Sequence, residues 1–293
     1  MVEYFLEKRK LITSGDLNHN KCLKQEVLKM FMNQNSSLKS LVYYYSEYSP
    51  EAKICLTDLT ELKCCSNICS EFFYKISQIC HNIQSLTIGF EKISDGLADL
   101  ISLQKTLKSV TLISSNNYND ERIKVIISSL IKSSSTITKL ILIEFYTPLS
   151  FITKFTNLQV LIISCQFNSI NDFDQLQYVN FPQLKVLKFL HSLPSVEILI
   201  KFLEINGKNL TEFYADESFR YNDDSLNLAN LAIAKFCPNL KILSTTFKDD
   251  ELETLKLFLN ICQYLEIIKG YWSNIAAFFE ILAKYPQKKI LFI

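Results

Sequence analysis

A short apolar pattern recurs along the chain of 293 residues. One copy is Leu240-Lys-Ile-Leu243-Ser-Thr245, with apolar residues at offsets 0 and 3 and often at offset 5. Successive copies begin 21 to 30 residues apart, so chance matches in a leucine-rich sequence do not explain them. The ten copies begin at Leu38, Leu59, Ile83, Leu107, Ile137, Leu158, Leu184, Leu210, Leu240 and Leu265.

The offsets predict a short strand in each copy, because offsets 3 and 5 point to one side of an extended chain. Between copies the apolar period becomes helical. One predicted stripe consists of Leu228, Leu231, Ala232 and Phe236, and another of Leu252, Leu255, Leu259 and Cys262. The unit is therefore helix, tight turn and short strand.

The turn itself has a recognisable sequence, in which Cys237, Pro238 and Asn239 precede Leu240. A cysteine here ends the helix as a small buried side chain, and proline cannot continue the helix because it lacks an N–H. Asparagine tolerates turn geometry. Cysteines recur three residues before the apolar start of two other copies, at Cys80 and Cys262.

Neither element of the unit can bury its apolar face alone, whereas stacked neighbours bury both. The average spacing of about 25 residues falls in the range of leucine-rich repeats. We therefore predict an α/β leucine-rich-repeat solenoid, with a curved and mostly parallel sheet on its concave side. Residues 1–20 are predicted to be an N-terminal flank, with a helix as one option, and residues 21–293 to form about ten repeats.

The stretch LANLAIAKFCPNLKIL, residues 228–243, resembles the cysteine-containing leucine-rich repeat of F-box/leucine-rich-repeat proteins. The segments NLQVLIISC, FPQLKVLKF and ELETLKLFLNICQYLEIIKG are similar to the divergent members expanded in some symbiotic fungi. The resemblance covers about residues 20–293. It implies a non-enzymatic protein-binding scaffold, the substrate-recognition region of an F-box-type ubiquitin-ligase adaptor.

In that family an F-box with an LPxE-like start docks on Skp1 of a cullin ubiquitin ligase. Residues 1–20 contain no such motif, so we expect Skp1 or cullin binding only if an F-box lies upstream. Two alternatives stay open. The chain is a degenerate or structural relic of the family, or it is an enzyme with a site in the loops between repeats.

Composition narrows the classes of partner. Lys and Arg total 31 and Asp and Glu total 30, so a net charge of +1 does not favour nucleic acid or an anionic membrane. No apolar run is long enough to predict a membrane span or a secretory signal. Nine cysteines without such a signal indicate free thiols in the cytoplasm or nucleus. We expect a monomer.

Candidate chemistry is sparse. Cys64, Cys65 and Cys69 invite a zinc interpretation, but no second Cys or His pair follows at the required spacing, and Cys64 is a core position of its strand. The three histidines and five glycines form no nucleophile–base pair or phosphate loop. The sequence thus predicts no catalytic residue, cofactor or metal.

The predicted binding surface is the concave face, where strand offsets 2, 4 and 6 point. Its middle is an apolar strip of Ile141, Ile143, Val160, Ile162 and Val186. Two long polar inserts, residues 114–122 and 216–224, are predicted to flank it. The candidate contact residues are Tyr44, Lys63, Lys139, Ile141, Ile162, Lys188, Glu212, Tyr214, Asp216, Lys269 and Tyr271.

Overall fold

A computed structural model describes residues 37–43, 56–114, 121–145, 147–165, 170, 173–215, 223–248, 251–270, 275–285 and 290–292. The chain divides into two compact units, residues 1–136 and residues 137–293. The predicted boundary between flank and repeats, at residue 20, lies outside the described residues.

The first unit alternates strands with helices. Its strands are β1 (Ser40–Tyr43), β2 (Glu61–Cys65), β3 (Ser85–Phe90) and β4 (Ser109–Ser114). Its helices are α1 (Ser70–Ile79), α2 (Gly96–Ser102) and α3 (Arg122–Lys132). The strands are parallel and pair in sequence order.

The second unit continues the same alternation. Its strands are β5 (Lys139–Ile143), β6 (Val160–Ser164), β7 (Val186–Leu190), β8 (Glu212–Ala215), β9 (Ile242–Ser244), β10 (Ile267–Lys269) and β11 (Leu291–Phe292). Its helices are α4 (Val196–Asn206), α5 (Asp223–Phe236), α6 (Leu252–Ile261) and α7 (Ile275–Leu282). Short 3₁₀ helices cover Leu149–Lys154, Phe173–Leu176 and Gly207–Asn209. These strands are also parallel and in sequence order.

All ten copies of the apolar pattern carry a strand, and each strand begins at offset 2. The α/β class with parallel strands is therefore as predicted. Strand β11 was not predicted. Phe292 pairs with Ile268, which is at offset 3 of its copy, so Phe292 corresponds to offset 3 of an eleventh copy. Offset 0 of that copy would be Lys289, which is not apolar, and the sequence pattern therefore does not reveal the strand.

The core lies between the sheet and the helices of each unit. Leu161, Leu187 and Leu243, all at offset 3, are 0% exposed, which confirms their predicted burial. Ring contacts show that offset 5 also faces the helices: Tyr43 of β1 stacks on Phe72 of α1, with centroids 4.9 Å apart. Offsets 2 and 4 therefore point to the opposite side of the sheet.

Side chains at the ends of several helices join neighbouring repeats through hydrogen bonds. The thiol of Cys80 donates to the carbonyl oxygen of Leu56 at 2.7 Å. The thiol of Cys262 donates to the backbone carbonyl oxygen of Cys237 at 3.3 Å. The side-chain amide of Gln104 donates to the backbone carbonyl oxygen of Cys80, and the hydroxyl of Ser133 donates to the backbone carbonyl oxygen of Gln104. At Cys80 and Cys262 the recurring cysteine is thus a buried hydrogen-bond donor as well as a small apolar side chain.

The predicted apolar stripe of α5 was wrong at its two leucines, whereas its Ala232 is buried as predicted. Leu228 is 49% exposed and Leu231 is 37% exposed. The rest of the buried face consists of Leu226, Ala229, Asn230, Ile233 and Ala234. Small and polar residues carry little apolar signal, so the large leucines on the other side dominated the pattern. Asn230 is satisfied in the core, where it donates to Glu251 at 2.9 Å and accepts from Thr245 at 2.8 Å.

Within the described part of the chain, no helix has the length and apolar character needed to cross a bilayer.

Candidate functional site

The outer face of the second unit is the side of its sheet that points away from the helices. Strand register arranges its side chains in two main rows. One row runs through Lys139, Val160, Val186, Glu212, Ile242 and Ile267. The other runs through Ile141, Ile162, Lys188, Tyr214, Ser244 and Lys269. All are partly exposed except Ser244, which is buried.

An apolar block occupies one end of this face. Ile141 pairs with Ile162 across β5 and β6, and Val160 pairs with Val186 across β6 and β7. Ile143 extends the block on β5 and is also partly exposed. The register therefore places the five residues of the predicted apolar strip side by side. Leu190 of β7 joins them at offset 6, a position that the strand rule already implied but that was not singled out.

A polar and aromatic region adjoins the apolar block. Lys188 Nζ lies 3.1 Å from Glu212 Oε2, and about a third of each side chain is exposed. Tyr214 pairs with Lys188 in the strand register. Lys139 and Lys269 stand on β5 and β10, towards the two ends of the face. These candidate residues therefore share one surface of the second unit.

The outer face of the first unit has a different character. Lys63 lies 3.0 Å from Glu61 on the same strand, and Ser40 donates to Glu61 at 2.8 Å. The hydrogen bonds from Lys63 and Ser40 lower the pKa of the Glu61 carboxyl. The neighbouring positions on β3 and β4 are the small hydroxyl residues Ser85, Thr87, Ser109 and Thr111. The structure thus places Lys63 on a mostly polar surface, with the exposed Val42 as its partner on β1.

Three candidate residues, Tyr44, Asp216 and Tyr271, lie outside the described residues. The same holds for residues 115–120 and 216–222, which make up most of the two predicted inserts. Their contribution to a binding surface stays a prediction.

The described cysteines are free thiols. Burial raises the pKa of Cys64 and of Cys237 well above the usual range, and it raises the pKa of Cys165 to about 11. Cys65 is half-buried on the outer face, and burial also raises its pKa. A thiol held in its neutral form is a weak nucleophile and a weak metal ligand, so these environments do not favour thiolate chemistry.

One further group lies at the carboxyl ends of the strands in the second unit. Glu144, Cys165 and His191 follow β5, β6 and β7, at offset 7 of their repeats. Glu144 and His191 have positive φ values of 50° and 66°. Cys165 is 5% exposed. Among the described residues, no three His, Cys, Asp or Glu side chains converge closely enough to hold a metal ion.

Comparison of the chain with protein-family models and with curated proteins gives no match.

Proposed function

We propose that this chain is a leucine-rich-repeat protein that binds another protein on the outer face of its second unit and has no catalytic activity of its own. The observation that carries the proposal is the apolar block of Ile141, Ile143, Val160, Ile162 and Val186. These side chains lie on the side of the sheet opposite the helices and remain partly exposed.

The proposal rests on the cost of leaving such a surface in water. Contiguous apolar patches on a protein surface frequently mark interaction sites. The tyrosine Tyr214 and the ion pair of Lys188 with Glu212 adjoin the block. An apolar centre with an aromatic residue and a charged rim is the usual anatomy of a protein interface.

We further propose, from the sequence resemblance, that the repeats are the substrate-recognition region of an F-box-type ubiquitin-ligase adaptor. The regular repeat and the buried cysteine at its turn support the leucine-rich-repeat assignment. The ligase role depends on the resemblance alone, and the partner is then the protein selected for ubiquitination.

Affinity capture with the intact chain tests the proposal. We expect Ile162→Asp and Tyr214→Ala to reduce recovery of the captured protein, because each removes part of the proposed contact surface. Lys201→Glu is the control, since Lys201 is exposed on α4. Circular dichroism should show that all three variants remain folded. Unchanged capture by both outer-face variants, with loss of capture by Lys201→Glu, would place the binding surface on the helices instead.

A further inference from the structure

The described strand positions on the outer face of the second unit carry more positive than negative charge. These positions hold Lys139, Lys188 and Lys269 but one acidic residue, Glu212. Glu212 is already paired with Lys188. Neither Lys139 nor Lys269 forms an ion pair within the described part of the chain. Among the described strand positions of this face, Lys139 and Lys269 are therefore the two charged residues without an ion-pair partner, and most of the other positions are apolar.

These two lysines are separated by five steps across the sheet, from β5 to β10. Neighbouring strands lie about 4.8 Å apart, so the lysines stand on strands roughly 24 Å from each other. An extended chain rises about 3.3 Å per residue, and about seven residues span this distance. The positions between the lysines in the Lys139 row are the apolar residues Val160, Val186, Ile242 and Ile267 and one acidic residue, Glu212, whose charge is paired with Lys188.

We propose that the partner presents an extended segment of at least seven residues that crosses the strands, with apolar side chains in its middle and a carboxylate near each end. This deepens the proposed function and rests on it. The carboxylates would meet Lys139 and Lys269, and the apolar side chains would cover the block and the region around Tyr214. The apolar positions between the lysines favour a peptide over a nucleic acid, whose backbone carries a charge at every unit.

Three labelled synthetic peptides of eleven residues test the charge inference. All share a Leu/Val core, and their ends carry two Glu, two Gln or two Lys residues. With the full chain, fluorescence anisotropy should show the acidic peptide binding about tenfold tighter than the neutral one and weakening as salt is raised. The basic peptide should bind more weakly than the neutral one. Equal affinity for all three would overturn the inference.

Charge reversal at the two lysines provides the matched test. Lys139→Glu combined with Lys269→Glu should reverse the preference, so that the basic peptide binds tightest. Lys139→Gln combined with Lys269→Gln should abolish the preference. This neutral variant provides the test if the charge-reversed variant does not fold. Lys201→Glu should leave the preference for the acidic peptide unchanged. A preference that survives neutralisation of both lysines would also overturn the inference.

The outcomes separate the charge inference from the proposed function. If all peptides bind equally and Ile162→Asp abolishes their binding, the charge inference fails while the outer face remains the binding surface. If no peptide binds, the inference of an extended acidic and apolar segment is overturned. The location of the binding face is then tested separately by the capture experiment with Ile162→Asp, Tyr214→Ala and Lys201→Glu.

Discussion

The side-chain amide of Gln104 donates a hydrogen bond to the backbone carbonyl oxygen of Cys80, 24 residues earlier, over 2.7 Å. Its oxygen accepts from the backbone N–H of Ile83 at 3.0 Å. Gln104 is 2% exposed, so water does not compete for these bonds. One buried side chain therefore satisfies two backbone groups of the preceding repeat and fixes the register between neighbours.

Replacing this side chain by one of similar size without polar atoms should destabilise the first unit. Gln104→Leu leaves the N–H of Ile83 without its partner in the core, and a buried unsatisfied group costs about 1–3 kcal/mol. Urea unfolding measures the effect. Gln84→Leu is the control, because Gln84 is exposed and its side chain lies outside this junction. Equal midpoints for the two variants would show that the Gln104 bonds do not hold the repeats together.

A glycine has a similar role in the second unit. A Cβ at Gly207 would lie 2.7 Å from the carbonyl oxygen of Phe236 and 3.0 Å from Cys237 Sγ, in the following repeat. Gly207→Ala should therefore force neighbouring repeats apart and lower the free energy of unfolding by about 1–3 kcal/mol. Gly89→Ala should cost less, since its nearest contact would be Cys65 Sγ at 3.5 Å. Thermal or urea unfolding of both variants tests the comparison, and a larger loss for Gly89→Ala would contradict it.

The core prediction concerns Leu161, which is 0% exposed. Leu161→Ala should destabilise the protein by roughly 2–5 kcal/mol, from the lost transfer energy and the cavity that remains. Leu228→Ala makes the same chemical change at an exposed position of α5 and should have an effect near zero, within about 0.5 kcal/mol. A large loss of stability in Leu228→Ala would instead support burial of Leu228 in the predicted apolar stripe, which the structure contradicts.

The buried thiols predict a dependence on alkaline pH. Burial, followed by the nearby charge of Glu144, raises the pKa of Cys165 to about 11. A thiol with a raised pKa stabilises the fold fully below the pKa of the unfolded thiol, about 8.5, and this stabilisation is lost as the pH rises through the folded value. The free energy of unfolding should thus fall between about pH 9 and pH 11.

In Cys165→Ala this alkaline fall should be shallower than in the unmodified protein. Urea titrations at neutral pH and at two alkaline pH values measure the difference, and the comparison of the two proteins removes the contribution of Lys and Tyr titration. The same fall in the free energy of unfolding with pH in both proteins would contradict the burial of the Cys165 thiol. We also expect elemental analysis to detect no bound zinc.

The strands were predictable because their pattern is repeated and mostly carried by large apolar residues. Offset 3 at Leu161 and Leu187 is apolar and buried, so ten strands followed from the spacing. Strand β11 was missed because Lys289 stands where an apolar residue was required. Part of the α5 face was missed because Asn230 is buried through its hydrogen bonds, which a hydropathy pattern does not record.

The candidate site was predictable in part. Alternation within a strand placed Ile141 and Ile162 on the outer face, and the register then set them side by side. The ion pair joins Lys188 and Glu212, which are 24 residues apart in sequence and lie on neighbouring strands, so it required the register as well. The apolar repeat pattern specifies the strands and helices of the scaffold, and it does not specify which protein binds to the outer face.

The central claim is that the outer face, and not the helical side, contacts the partner. Site-specific photo-crosslinking tests it most directly, with benzoylphenylalanine in place of Tyr214 on the outer face or in place of Tyr178, which is 72% exposed beside a 3₁₀ helix. Both replacements keep an aromatic ring, and circular dichroism checks that both variants remain folded. We expect the captured protein to crosslink from position 214 and not from position 178. Crosslinking from position 178 with none from position 214 would contradict the account.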